Sequence, residues 1–214
     1  MNYVLPFKAG EKILEVGGGS AAIFHPNMDV RQVPGVDIVA DLNEPFPIKD
    51  CEWDGIFSKY SLEHISWRKT KQFLSEINRV LKPEGTFVAI VPNTEAQMKW
   101  VLNQGEWDDN ASSILYGDND YLENTHRVSL SPSRISNLLQ ETGFHDITVI
   151  PWGELKTDML VEAKKTSTNI SNRKYLFDKN YFNGGAKVGG YAHEGYRDFP
   201  VHHYTFQKFM ELKP

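Results

Sequence analysis

The chain has 214 residues, of which 40% are hydrophobic and 24% are charged, and its formal net charge is −5 at pH 7. This balance is ordinary for a globular protein and argues against a general nucleic-acid binder, which would need a basic face. The single cysteine, Cys51, excludes a disulfide within the chain and favours a reducing compartment. No apolar run approaches the roughly 20 residues that span a bilayer, and residues 1–10 lack the pattern of a secretory signal. We therefore expect a cytoplasmic protein that does not enter a membrane.

Short apolar runs alternate with helix-like stretches up to about residue 165, which predicts an α/β sheet. The predicted strands lie near residues 12–16, 28–31, 36–40, 53–59, 86–91, 147–151 and 159–164. The clearest helix is predicted over 67–81, where apolar residues recur at helical spacing before Pro83 and Gly85 end the pattern. A second helix is predicted from Ser131, as its N-cap, to Gly143, as a left-handed C-cap.

The segment 94–130 is rich in Asn, Asp, Gly, Trp and Tyr and shows little period. It lies between the fifth predicted strand and the helix that begins after Ser131. Long irregular segments inside compact domains tend to be functional. We therefore predict a loop that helps to build a ligand pocket, rather than a solvated surface loop.

A glycine cluster, Gly17 to Gly19, follows directly on the first predicted strand and the acidic residue Glu15. Because glycine has no Cβ, such a turn lets backbone N–H groups approach a ligand closely. Ligands of parallel α/β sheets bind just beyond the carboxyl ends of the strands. The first twenty residues therefore predict a site for a nucleotide-like cofactor.

Three later blocks extend this pattern: the run VDIVADL at 36–42, the run WDGIFS at 53–58 that leads into Leu-Glu-His at 62–64, and the run RVLKPEGT at 79–86 before FVAIVPN at 87–93. In this order and spacing, the blocks and the glycine loop resemble class I S-adenosylmethionine-dependent methyltransferases of the small stand-alone type. The resemblance covers about residues 10–165. It implies a Rossmann-like, seven-stranded mixed sheet whose last strand is antiparallel. It also implies S-adenosylmethionine as cofactor and S-adenosylhomocysteine as product.

The resemblance assigns the first cofactor contacts to the glycine loop and to the end of the second strand. Gly17, Gly18 and Gly19 would pass beneath the methionine part of the cofactor, with Glu15 facing its amino group. The alternative for Glu15 is a local cap or pair. Asp29 would accept hydrogen bonds from the ribose hydroxyls, each contributing about 1.5–3 kcal/mol. Asp37 is the alternative, but it lies within a predicted strand, which favours a structural role. The interval between Gly19 and Asp29 is short and contains a proline, so we predict that the helix usual in the family is shortened or lost here.

Residues after the third and fourth strands complete the implied cofactor site. Asp41 would accept a hydrogen bond from the adenine amino group while Leu42 packs on the ring, and the alternative for Asp41 is a local turn bond. Lys59, Tyr60 and Ser61 would face the transferable methyl group. Tyr60 is a candidate for a cation–π contact with the sulfonium or for the wall of the acceptor pocket.

Two histidines are candidate catalytic residues. Methyl transfer is an in-line displacement in which the protein mainly aligns the reactants and excludes water. A hydroxyl acceptor also needs a base, and a positioned histidine contributes about 10²–10⁴-fold. His126 is the first choice and His64 the second, with a purely structural role open for each. Arg127 is a candidate for holding an anionic group of the substrate.

The segment Leu62-Glu63-His64 partly matches a metal-binding pattern. Certain methyltransferases bind a divalent metal through Glu-x-x-Glu-His and a distant histidine. Tyr60 stands where the first glutamate would be, which leaves a partial site of Glu63, His64 and His126. We therefore predict no metal, with Glu63 stabilised in a first helical turn and His64 packed structurally.

We accordingly predict methyl transfer to an O or N atom of a small molecule, and the family suggests a sugar or glycan precursor as acceptor. Gly17, Gly19 and Ala22 also fit the G-x-G-x-x-A pattern of nicotinamide or flavin binders. Residues 24–26 leave little room for the helix whose N-terminus would hold the pyrophosphate. A non-catalytic binding module of the same fold is the other alternative. RNA is disfavoured because the chain is acidic and lacks a basic strip interleaved with aromatic residues.

Residues 167–214 depart from the α/β rhythm and are rich in glycine and aromatic residues. We expect a methyltransferase domain over 1–166 and a separate part over 167–214. The final run, 204–214, ends in Leu-Lys-Pro and resembles the leader of a second methyltransferase domain, which would make the chain a fragment of a longer protein. The alternative is a C-terminal arm that packs on the core or on a second subunit of a homodimer.

Overall fold

The computed structural model describes residues 3–167. Their strands are β1 Ile13–Val16, β2 Asn27–Asp29, β3 Ile38–Val39, β4 Trp53–Lys59, β5 Leu81–Pro92, β6 Phe144–Trp152 and β7 Asp158–Lys165. All seven form one sheet of order β3-β2-β1-β4-β5-β7-β6, in which β7 runs antiparallel to both of its neighbours. The parallel pairs β1–β2, β1–β4, β2–β3 and β4–β5 bring the carboxyl ends of five strands to one edge. The predicted Rossmann-like mixed sheet is thus confirmed, and the predictions for the chain after residue 167 lie outside the described residues.

The helices are α1 Thr70–Val80, α2 Thr94–Gln104, α3 Asp109–Tyr116 and α4 Pro132–Glu141. The chain passes directly from α1 into β5 at Leu81. The Ser131 hydroxyl caps α4 by accepting a hydrogen bond from the Arg134 N–H at 3.3 Å, and Gly143 follows the helix with φ +90°. The predicted boundaries of both α1 and α4 are therefore confirmed to within a few residues. None of the helices in residues 3–167 is long and apolar enough to cross a membrane.

Apolar residues on one face of the sheet form the larger core with α1 and α4. Leu14, Ile56 and Phe87 of the strands lie in the same cluster as Ile77 of α1 and Ile135 of α4, and all five are fully buried. A smaller cluster covers the opposite face and includes the buried side chains of Ile13, Phe57, Val88 and Leu160. Burial on both faces explains why the central strands read as continuous apolar runs.

The prediction of an irregular segment over 94–130 was wrong for α2 and α3. Each helix has a side-chain N-cap: Asn93 accepts from the Ala96 N–H at 3.3 Å, and Asp108 accepts from the Ala111 N–H at 2.8 Å. Gly105, with φ +76°, ends α2. Few of their residues are buried, so neither helix carries the apolar stripe by which a helix is recognised in sequence.

The connection between β1 and β2 contains only a single 3₁₀ turn, Gly19–Ala21. This confirms the prediction that the helix usual at this point is shortened. The glycine loop therefore meets the sheet edge through tight backbone packing rather than through the N-terminus of a full helix.

Candidate active site

A cavity of about 610 Å³ lies at the carboxyl ends of the parallel strands. This volume is typical of small-molecule sites, and ligands of open α/β sheets bind at this edge. Eight residues singled out in the sequence as cofactor-binding or catalytic line the wall: Gly17, Asp29, Asp41, Leu42, Tyr60, Ser61, His64 and His126. Four others, Glu15, Gly18, Gly19 and Lys59, are not part of the wall. Segment 94–130 supplies Ser113, Ile114, Tyr121 and His126, so it does line a pocket, as predicted.

Gly17 packs closely against Ser61, which follows β4, and so connects the glycine loop to the end of that strand. Its φ is +79°, and a Cβ atom at this position would lie 2.1 Å from the Ser61 Oγ. The Ser61 hydroxyl instead donates to the Gly17 carbonyl at 3.0 Å. Only glycine fits here, because both the backbone conformation and the close approach exclude a side chain.

Glu15 stabilises the chain that follows the glycine loop by accepting hydrogen bonds from its backbone. Its Oε2 accepts hydrogen bonds from the backbone N–H groups of Ile23, at 2.6 Å, and Phe24, at 2.7 Å, and its side chain is buried. Burial raises the pKa of the Glu15 carboxyl, and these two N–H groups oppose that rise. Glu15 therefore makes, through Oε2, the local pairing that was the alternative role in the sequence.

Asp29 ties the end of β2 to the glycine loop. Its Oδ2 accepts from the Gly19 N–H at 3.0 Å, and its Oδ1 accepts from the Arg31 N–H at 2.9 Å. The Arg31 guanidinium also lies 4.5 Å from the centroid of the Tyr121 ring, a cation–π distance. Arg31 and Tyr121 were not predicted from the sequence as cavity residues. The position of Arg31, two residues after Asp29 at the end of a strand, could have indicated a place near the cavity.

Asp41 makes a tight turn after β3. Its Oδ1 accepts from the Asn43 backbone N–H at 2.8 Å and from the Asn43 side-chain amide at 3.0 Å. Asp41 and the buried Leu42 also line the cavity. The turn bond and a position in the cavity wall, which were alternatives in the sequence, therefore coexist.

Tyr60 follows β4 in the left-handed conformation, with φ +51°. Its hydroxyl donates to Asp158 Oδ2 at 2.8 Å across the cavity edge. Burial raises the pKa of the Tyr60 hydroxyl, and the bond to Asp158 raises it further, while burial also raises the pKa of Asp158. The Lys59 ammonium lies 5.5 Å from the Tyr60 ring centroid and outside the wall. Asp158, which lies at the start of the antiparallel strand β7, was not predicted from the sequence as a cavity residue.

Glu63, His64 and His126 form one cluster, and their ligand atoms all lie within 4.8 Å of one another. The rings of His64 and His126 are 5.3 Å apart, and His64 Nε2 is 4.0 Å from Glu63 Oε1. Glu63 Oε2 is buried and has no hydrogen-bond partner among the described residues. The sequence named these three residues together only as a partial metal pattern, and the fold does bring them together in the wall of the cavity.

Burial sets the charge state of this cluster. It raises the pKa of Glu63 to about 8 and lowers the pKa of His64 and of His126. At neutral pH the isolated cluster therefore holds a largely protonated carboxyl and two neutral imidazoles. Neutral imidazole is the form that accepts a proton or binds a metal.

The sheet order, the antiparallel β7 and the cavity at the strand ends define a class I methyltransferase fold. The family model described as "Methyltransferase domain" matches residues 1–149, and the chain belongs to this family. Membership confirms the predictions of an enzyme that transfers methyl groups and of S-adenosylmethionine as the methyl donor. No curated protein matches the sequence.

Solved structures agree with this fold at low sequence identity. The CurJ carbon methyltransferase is 20% identical with a TM-score of 0.52, and the match covers 74% of this chain and 49% of that chain. A possible histamine N-methyltransferase from Thermotoga maritima is 14% identical with a TM-score of 0.54, covering 73% of this chain and 83% of that chain. Phosphoethanolamine N-methyltransferase 2 from Haemonchus contortus, solved with S-adenosyl-L-methionine, is 15% identical with a TM-score of 0.52, covering 75% and 50%. The chain thus spans about half the length of the first and third of these proteins.

Proposed function

We propose that the protein transfers a methyl group from S-adenosylmethionine to an oxygen or nitrogen atom of a small polar molecule. The observation that carries this proposal is the composition of one continuous cavity. Gly17 of the glycine loop and the strand-end acids Asp29 and Asp41 line the same wall as Tyr60, His64 and His126.

The strand-end residues in this wall fit the cofactor's nucleoside. Each oxygen of Asp29 accepts one backbone N–H, and the Arg31 Nε lies 3.5 Å from Oδ1. A carboxylate offers about four lone-pair positions, so acceptor capacity remains for a ribose hydroxyl. Asp41 makes both of its turn bonds through Oδ1, which leaves Oδ2 as an acceptor for an exocyclic amino group. Leu42 provides an apolar surface for a base, and Gly17 leaves the wall beside it without a side chain.

The cofactor supplies a methyl carbon bonded to a positively charged sulfur, so its leaving group needs no activation by the protein. The residues of this chain would align the acceptor with that carbon and exclude water. His126 or His64 would take the proton of an acceptor hydroxyl as the acceptor's lone pair attacks the methyl carbon. The electrons of the broken carbon–sulfur bond remain on the sulfur, which becomes neutral.

The rest of the wall favours a polar acceptor with several hydroxyl groups, such as a sugar or glycan precursor. The aromatic rings of Tyr60 and Tyr121 stand among side chains that donate or accept hydrogen bonds, namely Gln97, Asp118, Glu123, Asn124 and Arg127. Flat rings beside hydrogen-bonding groups suit a ring-shaped molecule that has an apolar face and hydroxyl edges.

Calorimetric titration with S-adenosylhomocysteine tests the proposal. The wild-type chain should bind with micromolar affinity, and Asp29→Ala should weaken binding at least about tenfold, the equivalent of 1.4 kcal/mol. Asp29→Asn separates the charge from the size of the side chain. Asp146→Asn is the matched control, because Asp146 is an exposed aspartate on the edge strand β6. Absence of binding by folded wild-type protein, or equal affinity in Asp29→Ala and the control, would contradict the proposal.

A further inference from the structure

We propose that Glu63, His64 and His126 bind one divalent transition-metal ion of the zinc class, which touches the methyl acceptor. The ion's role in catalysis rests on the proposed function, whereas its binding can be measured without any turnover.

The three side chains converge from distant parts of the chain. Glu63 and His64 lie in the 3₁₀ turn Leu62–His64 after β4, and His126 comes from the segment between α3 and α4. The backbone joins the two parts, because the Arg127 N–H donates to the Glu63 carbonyl at 2.7 Å. The fold thus fixes the distance between the turn and His126 independently of any ligand.

Both imidazoles have a backbone partner. His64 Nδ1 lies 3.2 Å from the Thr125 carbonyl oxygen, and since a carbonyl only accepts, Nδ1 carries the hydrogen. The backbone of Leu115 is the corresponding partner of His126, and it opposes the lowering of the His126 pKa by burial. Metal-binding histidines characteristically donate their other N–H to a carbonyl or carboxylate, which orients the ring and leaves one lone pair for the ion.

Glu63 supplies the observation that points to a cation. Its side chain is only 3% exposed, yet it borders the cavity, and its Oε2 has no partner among the described residues. The backbone N–H of Glu63 is a hydrogen-bond partner of its own carboxyl, but a buried carboxyl oxygen that is left without a partner costs free energy unless a cation or a donor satisfies it. His64 Nε2 lies 4.0 Å from the other carboxyl oxygen, Oε1, which is too far for a hydrogen bond.

Two imidazole nitrogens and one carboxylate oxygen favour zinc and its neighbours in the first transition row over magnesium or calcium, which prefer oxygen ligands. Catalytic zinc sites keep three protein ligands and leave a further position for water or substrate. Tyr60 stands where the metal-binding sequence pattern has its first glutamate. The three remaining ligands are nevertheless enough for a site of this kind.

Ligand atoms around zinc are about 3.3 Å apart at bond lengths of about 2.0–2.1 Å. The cluster, within 4.8 Å, would have to contract by at most about 1.5 Å.

Glu63, His64 and His126 all line the cavity, so an ion held by them would have its remaining position open to a ligand there. An acceptor hydroxyl bound there would lose its proton to water more readily, because the ion stabilises the oxyanion. The oxygen lone pair would then form the bond to the methyl carbon while the carbon–sulfur electrons stay on the sulfur. In this arrangement His64 and His126 act as ligands, and neither needs to take up the proton.

Titration of chelator-treated full-length protein with Zn²⁺, and the visible absorption of a Co²⁺-loaded sample, test the site. We expect one ion per chain, with affinity weakened about 100-fold or more by His64→Gln, His126→Gln or Glu63→Gln. His145→Gln is the matched control, since His145 lies on β6 beside Glu84 and outside the cluster. A second control replaces His193, His202 and His203 of the C-terminal part together, because these histidines could bind zinc by themselves.

Several results would overturn the site: no uptake by folded wild-type protein, equal affinity in the cluster variants and the His145→Gln control, or uptake that disappears only with the C-terminal histidines. Thermal melts establish that each variant folds, and Glu63→Gln keeps the size of the side chain. S-adenosylhomocysteine binding by the metal-free protein separates the two proposals. If it binds while zinc does not, the proposed function stands and the metal site fails.

Discussion

The hydroxyl of Ser61 donates to the carbonyl of Gly17 at 3.0 Å, which joins the first strand's glycine loop to the end of β4. The two residues are 44 positions apart, and both line the cavity. This contact therefore holds the glycine loop beside the cavity in which we propose that the cofactor binds.

Gly17→Ala should abolish S-adenosylhomocysteine binding and destabilise the protein. The added Cβ would lie 2.1 Å from the Ser61 Oγ, so the loop must move, and the φ of +79° adds strain of about 1–3 kcal/mol. Gly105→Ala is a matched control, because Gly105 has a similar φ of +76° and nothing within 4 Å of an added Cβ. Calorimetry and urea unfolding of both variants give the comparison. Equal loss of stability in the two variants, with cofactor affinity retained in Gly17→Ala, would refute the account of this contact.

Glu15→Gln should be tolerated, whereas Glu15→Leu should cost several kcal/mol. Glutamine retains an oxygen that can accept the N–H groups of Ile23 and Phe24, while leucine leaves both donors unpaired at about 1–3 kcal/mol each. Urea unfolding at neutral pH measures both changes. Loss of the loop in Glu15→Gln would show instead that the negative charge is required.

Comparison of the wild type with Glu15→Gln also predicts a pH dependence. Because burial raises the pKa of Glu15 in the folded state, the folded protein binds more protons than the unfolded chain above about pH 4.3. The wild type should therefore lose stability relative to Glu15→Gln as the pH rises from about 4 through the raised pKa, and the difference should then stay constant. A difference that grows in favour of the wild type over this range would contradict the assigned shift.

Asp108→Ala should fray α3 and cost about 0.5–2 kcal/mol, because it removes the side chain that caps the helix. Asp109→Ala is the control within the same helix, since Asp109 lies in the first turn and contributes only about 0.3–1 kcal/mol through the helix dipole. S-adenosylhomocysteine affinity should be unchanged in both variants, because Ser113 and Ile114 of α3 lie in the segment assigned to the acceptor. A smaller effect of Asp108→Ala than of Asp109→Ala, measured by urea unfolding, would refute the capping role.

The sequence predicted the sheet well because its central strands are buried on both faces. The strand Trp53–Lys59 was predicted with the bounds that the structure has, since its apolar run stands out between polar neighbours. The helices α2 and α3 were missed for the opposite reason. Each buries too few residues to show a period, and their caps, Asn93 and Asp108, resemble ordinary loop residues in sequence.

The candidate site was predictable where it depends on local chain geometry. Asp29 ends a strand, Gly17 and Asp41 lie just after strands, and the strand ends of a parallel sheet meet at one edge. Contacts between distant positions were not predictable. The bond between Tyr60 and Asp158 spans 98 positions and depends on the antiparallel insertion of β7, which no local motif records.

The most direct test of the central claim is a crystal structure of the full chain with bound S-adenosylhomocysteine. We expect the ligand to occupy the cavity at the strand ends, with its ribose hydroxyls on the Asp29 carboxylate and its base beside Leu42. A ligand bound elsewhere, or a ribose that makes no contact with Asp29, would contradict it.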